Sequence, residues 1–451
     1  MMRFSFENLG VLPKGEIELA DLTVLCGANN TGKTYITYAL YGFLKNWRNL
    51  TKIPSLEWNK LNNNLYEIDL EKQLFPKIQS ILDEATKDYQ KNLLHTVFGT
   101  FVERFSTTHL SFNIDNLDIV IKSLHHIELQ RNESHLVGLK KQENSPILQF
   151  DFSSTKEQPN INAIYNQLAI KYICFAPFFP YPFIISTERT GAIAFQNDLN
   201  LGKSRLLELL NQGKQIDYHA QAQPIRDNID FINSLSIFEK ETSPLLMEYP
   251  DLLIQFKDII GGDYRLNNGV LHFQPNKNTE LRMNESSSVV RALVILGYYL
   301  KHLAKKGDLL MIDEPELNLH PANQRKLARL LVRLVNLGIK VFVTTHSDYI
   351  VKEFNTMIML NNGSNRLQKI REKWHYTDDE RLAIEKVKLY ILREELISAG
   401  RGKKKRPICT VTPAKITPTF GIEVPTFDNT IDEMNAIQDE IYYSHQLDGN
   451  K

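Results

Sequence analysis

Residues 21–38, DLTVLCGANNTGKTYITY, constrain this chain more than any other stretch, because they set a phosphate cradle between a strand and a helix. Gly27, Gly32, Lys33 and Thr34 complete the pattern G-x-x-x-x-G-K-[ST]. Leu22, Val24 and Leu25 before it read as a short buried strand, and Ile36, Ala39, Leu40 and Phe43 after it recur at helical spacing. That context separates a phosphate loop from an ordinary glycine turn. Glycines let backbone N–H groups turn toward phosphate oxygens, and the following helix adds free N–H groups and the positive end of its dipole. Lys33 is expected to reach the β/γ-phosphates and Thr34 to ligate Mg2+, with Gly27, Asn30 and Gly32 lining the loop. The implied ligands are a nucleotide polyphosphate and Mg2+.

Composition narrows the setting. A chain of 451 residues is too long for one core, so two or three lobes are expected. Lysine plus arginine (53) balances aspartate plus glutamate (53), which gives no global basic field for nucleic acid. Cys26, Cys174 and Cys409 are far apart and lack metal-type spacing, which fits a reducing compartment, and Cys26 reads as a small buried residue. The N-terminus has no signal-peptide pattern. The most apolar segment, Tyr172 to Ile185, spans 14 residues and is broken by three prolines, too short to cross a bilayer. The expectation is a cytoplasmic protein without membrane contact.

In chain order, Phe4 and Phe6, then Ile17 and Leu19, alternate with polar neighbours like two strands, turned by Gly10, Pro13 and Gly15. From about residue 47 to 170 the chain is polar and charged. Helical periodicity runs from Leu74 to Phe105, and alternating stretches lie at Leu110 to Ile114 and Leu148 to Phe152. Apolar density returns at 171–195, and helices are expected at Leu206 to Leu210 and Ile225 to Leu246. Tyr264 to Phe273, centred on Asn267, Asn268 and Gly269, predicts a hairpin, followed by a strand at Leu281 to Met283. Ser286, Ser287 and Ser288 open a helix expected to bury Val289, Leu293, Leu296 and Leu300. Leu309 to Ile312 is an apolar strand ending in Asp313 and Glu314; a helix over 323–335 and a strand over 340–344 then deliver Thr345, His346 and Ser347. Polar residues at the C-terminal ends of strands are where open α/β sheets keep ligands. In the tail, Tyr376 to Ile397 is helix-like, Gly400 to Arg406 is a basic run, Ile408 to Pro425 is extended, and Phe427 to Tyr443 is acidic and helix-like. The basic run is either a phosphate contact or a solvated loop.

Phosphoryl transfer to water needs a metal, a fixed phosphate and an oriented nucleophile. Asp313 is placed to hold Mg2+, Glu314 to orient or deprotonate the attacking water, and His346 to hydrogen-bond the γ-phosphate. Loop charges and a structural histidine are the alternatives. Ser286, Ser287 and Ser288 leave free N–H groups and hydroxyls for an anion, or serve as a plain N-cap.

The ordered set of a Walker A loop (Gly27 to Thr34), a Ser-rich signature (Ser286 to Ser288), a Walker B pair (Asp313, Glu314), a D-loop-like ELNLHP (Glu316 to Pro321) and a switch His346 resembles ABC-type ATPases of the SMC, Rad50 and RecF kind. Among these it is similar to stand-alone AAA ATPases grouped with the overcoming-lysogenization-defect (OLD) family, which occur in bacterial antiphage systems, AriA of PARIS and PtuA of Septu being examples. The motifs cover roughly residues 1–46 and 264–361. The fold implied is α/β: an ABC-type P-loop ATPase head with a mixed sheet, formed by 1–46 and 171–361, a largely helical insertion at 47–170 and a C-terminal extension at 362–451.

The resemblance also implies a site shared between two subunits, the signature serines of one closing over the ATP of the other in a homodimer or larger homo-oligomer. One departure is Ser288, which stands where the family usually has glycine. Glu188 and Arg189, in STERTGA, resemble an arginine motif of these proteins, with structural packing an equal alternative. OLD-type nucleases carry a further carboxylate-rich domain, for which the ninety residues of the extension at 362–451 are too few. The effector, a nuclease on this reading, is therefore expected on a separate chain, with nucleic acid or a phage-encoded trigger as further partners. The rival reading is a RecF/SMC-like repair or recombination ATPase that binds duplex DNA when ATP closes the dimer.

Overall fold

The computed structural model describes residues 2–62, 65–116, 138–141, 145–151, 164–196, 202, 221–398, 405–422 and 434–440. The chain divides into two compact units. The first comprises Met1–Leu19, Tyr38–Phe183 and Tyr218–Gln223; the second comprises Ala20–Thr37, Ile184–Asp217 and Pro224–Lys451.

In the first unit, strands Met2–Leu9 and Leu12–Leu19 form an antiparallel hairpin joined on its other edge by His109–Ile114. The turn falls at Gly10 and Val11, so Pro13 and Gly15 lie inside the second strand rather than in the turn. Alternation puts Phe4 and Phe6 on the buried face, where Phe4 stacks on Phe112 and Phe112 on Phe43. Phe43 in turn meets Phe179 edge-on at 5.5 Å. Helix Ile78–Asn92 accounts for the periodicity after Leu74, and its Tyr89 hydroxyl donates to the Ala39 carbonyl at 2.8 Å. A second sheet, in the order Asn59–Lys60, Leu65–Asp69, Ile147–Asp151, Gly138–Lys141, accounts for the alternation near Leu148. The described part of 47–170 therefore contains both helices and strands.

The second unit carries a mixed six-stranded sheet. Its order is Lys405–Pro413, Val387–Ser398, Leu22–Gly27, Lys340–Thr345, Leu309–Asp313, Pro182–Ile185. Leu22–Gly27 lies parallel to both of its neighbours, Lys340–Thr345 and Val387–Ser398. Lys340–Thr345 is also parallel to Leu309–Asp313. Strands covered on both faces read as continuous apolar runs, as LLMI and KVFV do here. Helix Pro321–Asn336 connects the last two of these parallel strands. Pro321 sits at its first turn, Leu327, Leu330, Leu331 and Leu334 are buried along one face, and Gly338 ends the segment at φ 91°.

Two local expectations are corrected and one is confirmed. The helix-like reading of Tyr376 to Ile397 fails, because Val387–Ser398 is a strand inside the sheet. Its alternating charges imitate a helix face, but the run at Leu389–Leu392 is buried, and a short apolar run does not declare its period. The sheet thus continues past the strand at 340–345 into the tail. In helix Ser288–Tyr298 the buried valine is Val290, with Val289 only half-buried, and everything from Ala292 to Leu300 is buried. The hairpin is confirmed: Asp263–Asn267 pairs with Val270–Asn276 across Asn268 (φ 51°) and Gly269 (φ 77°), both left-handed as such a turn requires. The expected helix at Leu206 to Leu210 lies outside the described residues, as does most of the basic run at 400–406.

Candidate nucleotide-binding site

The sheet register brings the ends of three strands level. Cys26 pairs with Thr345, and Thr344 with Asp313, so the phosphate-loop strand and the carboxylate strand flank the strand that leads to His346. Tertiary structure thereby gathers five expected residues, Lys33, Thr34, Asp313, Glu314 and His346, at one edge of the second unit.

The loop takes its shape from residues that tolerate unusual backbone. Asn30 sits at φ 64° and Gly32 at φ 98°, both in the left-handed region. Gly27 is demanded by something else. A Cβ there would stand 2.1 Å from the carbonyl oxygen of Leu392 on the tail strand. Thr31 Oγ1 donates to the Ala28 carbonyl at 2.8 Å, and Lys33 Nζ donates to the Gly27 and Ala28 carbonyls at 2.8 Å each. Among the described residues the N–H groups of Asn29, Asn30, Thr31 and Gly32 donate to no protein acceptor. Burial pulls the Lys33 ammonium pKa down, opposed by Glu314 and Asp313. A cation held only by two carbonyls, beside unused N–H donors, suits an arriving polyphosphate.

Asp313 is 1 % exposed, and burial pushes its carboxyl up to about 6. The Thr344 hydroxyl donates to its Oδ1, and Thr34 Oγ1 donates to its Oδ2 at 3.4 Å. A hydroxyl and a carboxylate are the hard oxygens Mg2+ prefers, and that ion is usually completed by phosphate oxygens and water. Among the described residues no group of three or more His, Cys, Asp or Glu side chains could hold a metal alone. Thr34 and Asp313, side by side, offer two such oxygens to a Mg2+ whose other ligands are phosphate and water. Cys26, buried beside them, has its thiol pushed up to about 12 and stays protonated.

Glu314 has φ 51°, unusual for a non-glycine residue and the more so before Pro315. Its N–H is taken by the Thr344 carbonyl and hydroxyl at 3.2 and 3.1 Å. Arg189 completes the clamp. Fully buried, its guanidinium donates to the carbonyls of Asp313 (2.8 Å), Glu314 (2.6 Å), Ser186 (3.0 Å) and Ala292 (3.0 Å), and burial pulls its pKa down to about 10. The sequence left Arg189 open between a functional motif and packing; its partners are all backbone carbonyls, so it braces the Asp313–Glu314 turn and ties it to the helix behind the serines.

His346 Nδ1 lies 3.5 Å from Glu314 Oε1 and 3.3 Å from Glu316 Oε1. Glu316 and Thr344 escaped the list of candidate site residues. The doubled Thr-Thr before His346, and a second glutamate two residues after the first, were the available signals. The serines behave differently. Ser287 caps helix Ser288–Tyr298 by accepting from Val290 N–H at 3.4 Å, Ser286 Oγ donates to the Arg282 carbonyl at 2.9 Å, and Ser288 begins the helix. Among the described residues no hydrogen bond joins Ser286, Ser287 or Ser288 to the cluster around Lys33 and Asp313. No helix among the described residues is long and apolar enough to cross a membrane.

Residues 1–351 match the protein family described as AAA ATPase domain. No curated protein matches the chain. Among solved structures, the chain is similar to the Smc head bound to the C-winged helix domain of ScpA, with 11 % identity, a TM-score of 0.34, and 90 % of this chain and 97 % of that one covered. It is also similar to the Smc head domain with an extended coiled coil bound to the C-terminal domain of ScpA, from Pyrococcus furiosus, with 11 % identity, a TM-score of 0.33, and 98 % and 100 % covered. A third is the SMC head domain from Thermotoga maritima, with 11 % identity, a TM-score of 0.29, and 92 % and 98 % covered.

Proposed function

The chain belongs to the AAA ATPase domain family, whose match spans residues 1–351, and from that premise we propose that it binds and hydrolyses ATP as the sensor and scaffold of a bacterial antiphage system. The observation that carries the ATPase reading is the convergence of Lys33, Thr34, Asp313, Glu314 and His346 at level strand ends. Lys33 exchanges the Gly27 and Ala28 carbonyls for phosphate oxygens, while the loop N–H groups cradle the remainder. Thr34 and Asp313 would hold Mg2+, which when bound would neutralise phosphate charge. Glu314, fixed by Arg189 and Thr344, orients the attacking water and takes its proton, and His346 meets the γ-phosphate.

In the same reading Ser286, Ser287 and Ser288 close over the nucleotide of a second copy, so that ATP bridges a homodimer or larger homo-oligomer. The helix they open presents free N–H groups and two exposed hydroxyls, which supports this use. Residues 1–46 and 171–361, together with the tail strands Val387–Ser398 and Lys405–Pro413, make up the ATPase lobe; the insertion at 47–170 and the rest of the extension at 362–451 supply oligomer and partner surfaces. A separate effector, a nuclease, is held or released according to nucleotide state, in response to nucleic acid or a phage-encoded trigger, in the cytoplasm. The motif resemblance to OLD-family ATPases supports this reading.

The test combines two variants with native mass measurement. Glu314→Gln is expected to retain ATP and persist as a dimer while turnover falls 100-fold or so, and Lys33→Ala to bind ATP poorly. Normal turnover by Glu314→Gln would reject the role given to that carboxylate. Co-expression with the neighbouring reading frame is expected to give an ATP-linked oligomer that holds the second protein. An ATP-linked dimer that ignores it and shifts labelled duplex DNA, more weakly as salt rises, would replace the defence reading by the repair one.

A further inference from the structure

One charged side chain in this cluster has no place in the scheme above. Glu316 is 5 % exposed, and its two oxygens are used unequally. Oε1 accepts the Thr345 hydroxyl at 2.8 Å and the backbone N–H of His346 at 2.8 Å, and lies 3.3 Å from His346 Nδ1. Oε2 is buried and has no partner among the described residues. Burial raises the Glu316 pKa, and the His346 N–H and Thr345 hydroxyl oppose the shift. A loop carboxylate with no task would turn toward water. This one is held inside the fold, with two donors directed at a single oxygen and an imidazole nitrogen 3.3 Å from it.

Its neighbours explain the arrangement. Thr345 Oγ1, which donates to Glu316, also accepts the Ser347 N–H at 2.9 Å, so the strand end is locked around the carboxylate. The Leu319 N–H donates to the Glu316 carbonyl at 2.9 Å and fixes the other side. Glu314 Oε1 stands 3.5 Å from the same imidazole nitrogen, and its carboxylate has no second partner among the described residues. Two carboxylates thus stand within 3.5 Å of one ring nitrogen. The rigid, buried Glu316 is nearer, which leaves Glu314 free for water.

We propose that Glu316 is the positioning residue of His346: it accepts the Nδ1–H, fixes the ring as the tautomer whose lone pair is on Nε2, and keeps the imidazole off Glu314. The hydrogen bond made by one ring nitrogen sets the chemistry of the other. Nε2 is then the atom that meets the γ-phosphate or its attacking water. Unprotonated, Nε2 accepts a hydrogen bond from the attacking water; to donate to the γ-phosphate it must first take a proton from solvent, and the Glu316 carboxylate then faces the charged ring. The proposal rests on the ATPase reading only for its kinetic consequence.

Two measurements on the full-length chain test it. In nucleotide-free wild type, with ring nitrogens labelled with 15N and the His346 signal assigned by its loss in His346→Gln, the ring is expected to carry its proton on Nδ1. A ring protonated on Nε2 would overturn the proposal whether or not the protein hydrolyses ATP. In steady-state kinetics Glu316→Gln is expected to lower kcat about 10- to 100-fold with little change in KM for ATP, the usual effect of losing an outer-shell partner. In a His346→Ala background the same substitution is expected to cost nothing further. An equal loss in that background would make Glu316 a general structural support instead and overturn the proposal. Absence of ATPase activity in wild type would remove the ATPase reading and leave the nitrogen measurement to decide Glu316.

Discussion

At the scale of single residues, the site is built from groups that the fold keeps under electrostatic tension. Asp313 and Glu316 are buried carboxylates with raised pKa values, and Lys33 and Arg189 are buried cations with lowered ones. Desolvation outweighs partner charges at each of them, the usual signature of residues arranged for chemistry. Asp308 is a buried carboxylate outside the cluster. It accepts from the Tyr299 hydroxyl at 3.3 Å and the Lys305 N–H at 3.2 Å, and burial raises it from the ordinary 3.8 to about 6. Below pH 3.8 it is neutral whether folded or unfolded and costs nothing; as pH rises through 6 the folded protein must carry a buried charge, so stability falls across that window. The loss amounts to about 3 kcal/mol at most. Asp308→Asn keeps an acceptor oxygen without the charge. Thermal melts are expected to show it more stable than wild type at pH 8 and level with it at pH 4; equal melting at both would reject this account.

At the scale of elements, the strand Val387–Ser398 is the addition that the sequence did not announce. It pairs with the phosphate-loop strand through Val387–Leu392 on one side and with Lys405–Pro413 on the other, which makes it an interior strand. The sheet itself therefore requires Gly27, since any side chain there would strike the Leu392 carbonyl. Amide exchange is a direct check. The amides of Leu389–Leu392 are expected to exchange as slowly as those of Val24–Cys26, because both open only with the sheet. Fast exchange at 389–392 with slow exchange at 24–26 would contradict an interior strand. Legibility differed between elements for a physical reason. Strands 22–27, 309–313 and 340–345 end in polar motifs that declare them, whereas 387–398 carries charges at helix-like spacing and its Leu389–Leu392 run is buried only because of what lies beside it.

At the scale of the whole molecule, every residue assigned to nucleotide, metal or water falls in the second unit, while the N-terminal hairpin and aromatic core belong to the first. A ligand that binds only the folded site raises stability by RT ln(1 + [L]/Kd), about 2.7 kcal/mol at 100 times Kd. Mg2+ with a slowly hydrolysed ATP analogue is expected to raise the melting temperature of the wild type by several degrees and to leave Lys33→Ala unmoved. An equal shift in that variant would place binding elsewhere than the loop.

The sequence by itself determined the chemistry available: a glycine-rich loop before a helix, Lys33 and Thr34, two carboxylates after a buried strand, and a histidine after the next. These are local patterns, since each needs only its neighbours in the chain to specify strand, turn or helix. Tertiary structure alone decided that Thr344 and Arg189 brace the Asp313–Glu314 turn, that Leu392 dictates Gly27, and that Glu316 rather than Glu314 lies nearer the His346 ring. Those relations join residues dozens to hundreds of positions apart, through backbone carbonyls and strand register, and no pattern of side chains along the chain records either.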